Sequence, residues 1–183
     1  MDLQQAGDLD GAIAKHREAV QICPQGNPQC KAYKQNLAEA LNTAGVAKYA
    51  AKDYVTAIAD FQEAIANVPN FDRAKQNLSV ALGEKLNAEG MVLFKNSDFA
   101  GAVEKFKAAL AAEPGYKNAL VNRDAAEAEI ATRAGDFATA VAKLQEAVAV
   151  ASTPFLQDKL AKAQAALAEQ QAKAAKEQQQ QKQ

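Results

Sequence analysis

The sequence predicts an all-α protein, an α-solenoid of antiparallel helix pairs finished by a C-terminal capping helix. Three observations predict it. One pattern with helical spacing recurs four times along the chain. Gly (9) and Pro (5) are sparse among 183 residues, so turns are few and elements long. Alanine supplies much of the apolar content while aromatics make up 6% and Trp is absent, a composition that suits closely packed helices and not a sandwich or barrel.

The four copies are Gly7 to Val20, Lys52 to Ile65, Ser97 to Leu110 and Gly135 to Val148. Each reads Asp, large apolar, two variable residues, Ala, aliphatic, two variable, a larger residue, two variable, Ala, aliphatic. Steps of three and four keep the fixed positions on one helical face. The Asp can cap the orphan amides of the first turn. The small Ala57, Ala102 and Ala140 admit a neighbouring helix, and Phe61, Phe106 and Leu144 fill the space one turn on. Pro24, Pro69 and Pro114 stop the first three copies.

These residues resemble the second helix of the tetratricopeptide repeat, and the first-helix signature accompanies it: Leu41, Gly45 and Tyr49 match Leu86, Gly90 and Phe94. The resemblance covers roughly residues 1–152. It departs from the family in its period. Ala12 to Ala57 and Ala57 to Ala102 are each 45 residues, and Ala102 to Ala140 is 38, against a norm of about 34. The excesses of about 11, 11 and 4 residues are close to whole turns. Whole turns lengthen a helix without rotating its apolar face. They fall between the proline and the first-helix glycine, which assigns them to first helices, where Gln35 to Leu41 and Gln76 to Leu82 keep helical spacing.

Helices are therefore expected at 9–23, 28–51, 53–67, 70–95, 98–112, 115–134 and 136–151. In domain terms, 1–24 is a partial first repeat, 25–69 and 70–114 are repeats with long first helices, and 115–152 is a third repeat. Residues 1–6 read as the end of a first helix whose start is missing, which favours a fragment of a longer chain. Thr153 and Pro154 signal an N-cap and first-turn proline, and Phe155, Leu156, Leu160, Ala163 and Leu167 follow at helical spacing. This makes 153–176 a capping helix over the last repeat, with 177–183 expected as a disordered Gln-rich tail.

Charge is balanced, 21 Lys+Arg against 22 Asp+Glu, so nothing points to nucleic acid. No apolar run is long enough for membrane insertion, and Met1 to Asp8 carries no signal peptide. A soluble, cytoplasmic protein is the default expectation, with a trimmed targeting segment left open. Cys23 and Cys30 flank a loop. Free thiols are the plainer reading, and a disulfide is geometrically conceivable in an oxidising compartment.

No catalytic, cofactor-binding or metal-binding residues are expected. His16 is the only histidine and holds the repeat position of Phe61, Phe106 and Leu144. Two Cys and one His do not make a four-ligand zinc site, and no phosphate-binding loop occurs. The resemblance implies a non-enzymatic protein- or peptide-binding scaffold whose first helices line a concave groove. On the matching positions, that groove takes Asn42, Val46 and Tyr49 from the first complete pair. Asn87, Met91, Phe94 and Lys95 come from the next, and Asn122, Glu129 and Arg133 from the last. Asn amides offer a donor and an acceptor to a peptide backbone. Tyr49, Met91 and Phe94 suit apolar side chains, although Tyr49 and Phe94 can equally pack inside their helix pairs. Lys95 and Arg133 suit a carboxylate. The alternative is a homo-oligomer built through solenoid ends, since a shortened start leaves Ile13 and Val20 of helix 9–23 uncovered.

Overall fold

The computed structural model describes residues 3–181, with the side chains of 3–8 left undescribed. Among these residues there are eight helices and no strand: α1 (Leu3–Ile22), α2 (Gln29–Ala50), α3 (Tyr54–Asn67), α4 (Asp72–Lys95), α5 (Phe99–Ala112), α6 (Lys117–Arg133), α7 (Phe137–Val150) and α8 (Pro154–Gln180). The fold is an all-α, solenoid-like succession of helix pairs, with α1 packed on α2, α2 on α3, α5 on α6, α6 on α7 and α7 on α8. The chain divides into two compact units, residues 1–85 and 86–183. No described helix is long and apolar enough to cross a membrane.

The repeated Asp does two jobs at once. Asp53, Asp98 and Asp136 cap α3, α5 and α7, each side chain accepting from the backbone N–H three residues on. Their own N–H groups donate back to Lys48, Leu93 and Ala131, while Lys52, Ser97 and Gly135 donate to Tyr49, Phe94 and Thr132. That pair of bonds ends a helix when the intervening residue is left-handed, and Lys52, Ser97 and Gly135 have φ of 62°, 64° and 74°. One residue thus terminates a helix and starts the next, which makes a corner of three residues. At the first copy the backbone does not turn: α1 runs unbroken through Gly7 and Asp8 instead of beginning at residue 9. Helix propagation adds a hydrogen bond for each residue fixed, and a Gly-Asp pair alone does not outweigh it.

Second helices have constant length and first helices do not. α3, α5 and α7 each have 14 residues, whereas α2, α4 and α6 have 22, 24 and 17. The extra period therefore sits in the first helices. α6 is seven residues shorter than α4 (24 against 17), about two turns, so an apolar stripe at its start stays in register with the stripe at its end.

In unit one, Leu37, Ala38, Leu41, Phe71 and Ala74 form a core that Ile13 of α1 enters at 5% exposure. Val20 packs half-buried against the same cluster. The face of α1 expected to be uncovered is therefore covered at Ile13 and partly covered at Val20. A second cluster joins Ala57, Ile58 and Phe61 to Ala81. Phe61 lies on Gly45, where a Cβ would come within 2.5 Å of the ring. Cys23 and Cys30 form a disulfide across the α1–α2 loop, with Cα atoms 5.7 Å apart, correcting the expectation of free thiols. The loop itself supplies the approach: Asn27 N–H donates to Pro24 O and Cys30 N–H to Asn27 O, with Gly26 left-handed between them.

In unit two, Phe106 lies on Gly90 as Phe61 does on Gly45. The next pair changes both partners at once. Ala128 stands at the glycine position and Leu144 at the phenylalanine position, and both are buried in one cluster with Leu156 and Ala163 of α8. A larger residue below and a smaller one above conserve volume. Thr153 Oγ1 accepts from Leu156 N–H and caps α8, with Pro154 in its first turn. The helix continues to Gln180, through most of the run expected to be disordered, with every described residue beyond Leu167 exposed. Ala, Gln, Lys and Glu all favour helix without needing burial. Lys182 and Gln183 lie outside the described residues.

Candidate functional site

Three helices of unit two, α4, α6 and α8, present one face each to a cavity of about 860 Å3. Helical spacing puts the side chains there. Asn87, Met91, Phe94 and Lys95 follow at steps of four, three and one along the end of α4. Asn118, Asn122, Glu129 and Arg133 run down α6, and Phe155 and Lys159 stand one turn apart at the start of α8. Seven of the ten groove residues expected from sequence therefore meet in one place: Asn87, Met91, Phe94, Lys95, Asn122, Glu129 and Arg133.

Asn42 and Tyr49 belong to unit one and have local roles there. Asn42 is buried and its Oδ1 accepts from Asn77 Nδ2 at 2.8 Å. The Tyr49 ring packs on Tyr54, centroids 5.6 Å apart. The same amide pairing recurs in unit two, where Asn122 Nδ2 donates to Asn87 Oδ1 at 2.8 Å. A polar amide between two packed first helices needs such a partner. The pairing corrects the simple picture of free amide clamps: one donor of Asn122 and the carbonyl of Asn87 are committed to each other.

The cation end of the site is ordered by aromatics. Phe94 and Phe99 meet edge to face with centroids 5.0 Å apart. The Arg133 guanidinium lies over the Phe99 ring, 4.3 Å from its centroid. Arg133 Nη1 donates to Ser97 O at 3.5 Å, and stacking fixes the guanidinium plane so that its other N–H groups lie along that plane. Lys95 ends α4 and Arg133 ends α6, equivalent positions of their repeats. Lys159 is ion-paired with Glu129, and its ammonium lies 5.0 Å over the Phe155 ring. Three cations against one carboxylate leave the lining with two net positive charges. Met91, Phe94, Val121, Phe155 and Leu156 supply apolar wall.

Phe155, Leu156 and Lys159 were not expected in the site, because the capping pattern was read only as a cover for the last repeat. The signal was Phe155: a capping stripe explains Leu156, Leu160 and Ala163, and leaves an aromatic one residue off the stripe. Phe155 is 57% exposed. Asn118 was missed as well, although it precedes Asn122 by one turn.

Asp124, on the buried side of α6, is 1% exposed. Burial pushes its pKa up, and Arg123, donating through Nε and Nη2 at 2.9 and 2.7 Å, opposes the shift. It is an internal pair and does not line the cavity. Among the described residues no group of three or more His, Cys, Asp or Glu is placed to hold a metal ion. No known protein family matches the chain, and no curated protein matches it either.

Proposed function

We propose that the chain is a non-enzymatic scaffold of the tetratricopeptide type that binds an extended acidic peptide with a bulky apolar side chain. The observation that carries this reading is the cavity of unit two, about 860 Å3, within the roughly 300–1,000 Å3 of ordinary ligand sites. Its lining combines an apolar wall with a net positive end, which complements such a peptide and repels a basic one. The likeness to the family rests on the recurring Ala and Gly positions, the Asp-capped corners and the constant second helices. Ile13, one of the two side chains that would offer the start of α1 to a second copy, is buried.

Selection from a displayed library of random peptides tests the proposal. Enriched sequences should pair an acidic residue with an aromatic or aliphatic one. Captured peptides should bind at least about tenfold more weakly to the Lys95→Ala/Arg133→Ala variant, the equivalent of about 1.4 kcal/mol. Enrichment of basic peptides, or affinity unchanged in that variant, overturns the reading.

A further inference from the structure

We infer that the Cys23–Cys30 disulfide is a redox-sensitive latch that holds α1 on the rest of unit one. By its described side chains, α1 is the most lightly anchored helix of its unit. Along its described side chains only Ile13 is buried, whereas α3 buries Ala57, Ile58, Asp60, Phe61 and Ala64. The position that carries the buried Phe61 in α3 carries His16 in α1, which is half-buried. Beyond Ile13, α1 is held by Leu9 and Val20, both half-buried, by the Arg17–Glu63 ion pair with two bonds of 2.6 Å, and by the disulfide. The ion pair is substantially exposed, so it contributes little. Among the described residues the disulfide is the remaining strong tie.

The same bond is placed where a reductant can reach it. Cys23 and Cys30 are both only half-buried, and Cys30 opens onto a surface cleft of about 530 Å3 shared with Lys31, Lys34 and Asn67. It is the second residue of α2, where the helix N-terminus stabilises a thiolate leaving group. A dithiol attacks Cys23 Sγ, the S–S bond breaks and Cys30 leaves as thiolate. The second thiol of the reductant closes its own disulfide and releases Cys23. The reductant loses two electrons and two protons, and the protein ends with two thiols. α1 is then free to leave α2, uncovering Leu37 and Leu41. Oxidising surroundings keep the helix docked and reducing ones release it.

Hydrogen exchange on the full chain, with and without a phosphine reductant, reads this directly. The cysteines are seven apart in sequence, and the closure entropy of so short a loop corresponds to an opening equilibrium shifted by about fiftyfold. Amides of residues 9–22 should therefore exchange tens of times faster once the intact mass shows both thiols reduced, while those of α3 change little. The Cys23→Ser/Cys30→Ser variant should exchange fast at α1 without reductant and show no response to it. Slow α1 exchange in the fully reduced protein, or a reductant response retained by the variant, overturns the latch. So does air-oxidised protein that carries two free thiols.

Discussion

Gly45 and Gly90 belong to the repeat signature, but only packing tells why they are glycine. Phe61 and Phe106 rest directly on them, and an added Cβ would fall 2.5 and 2.6 Å from a ring carbon. Gly45→Ala gains up to about 1 kcal/mol of helix propensity and meets an overpacking cost of about 1–3 kcal/mol. The balance should lower the urea midpoint. The capping Asp residues predict a pH dependence. Asp53 and Asp136 are held below the usual carboxylate range by the Thr56 and Thr139 hydroxyls and then by their backbone N–H groups, and Glu63 by its hydrogen bonds from Arg17. A lowered folded pKa gives stability that is present above the unfolded value and lost as pH falls through the folded one. Acid should therefore lower the urea midpoint. In the Asp53→Asn/Asp136→Asn variant, whose amides still cap, that acid limb should be shallower. Asp124 acts oppositely: its raised pKa means that stability falls as pH rises through it. The capping role of Asp was legible because it depends on neighbours in sequence. The Asn42–Asn77 and Asn87–Asn122 pairs were not, since each spans 35 residues while the repeat there is 45.

Helix boundaries were legible to within a few residues except where no corner forms, at the start of α1. The assignment of extra turns to first helices followed from the fixed length of the motif in second helices, and α2, α4 and α6 carry it. The helicity of the Gln-rich end was not legible from burial, because alanine and glutamine hold a helix there without a core. The exposed end of α8 then predicts a clean contrast. Truncation after Ala168 should shift stability by less than about 0.5 kcal/mol. Leu156→Ala, at a side chain buried against α7, should cost about 2–5 kcal/mol. Both are read from urea denaturation followed by circular dichroism. The Cys pair was undecidable from spacing alone, because the turn at Gly26 that brings the thiols together depends on a backbone conformation the spacing does not specify.

For the molecule, the repeat arithmetic predicted which side chains share a face, and unit two shows seven of them around one cavity. What repeat arithmetic left out was α8, which departs from the pattern and supplies Phe155 and Lys159. The cavity is thus built from two ordinary first helices and one terminal helix, so its chemistry is specific to that end of the chain. The central claim is that this face, and not the outer face of the second helices, takes an acidic, apolar peptide. Backbone amide NMR of the protein titrated with a library-selected peptide tests it most directly. Shifts confined to the end of α4, the length of α6 and the start of α8, and diminished by Phe155→Ala, are predicted. Shifts centred on exposed positions of α5 and α7, such as Glu104 and Gln145, would contradict the account.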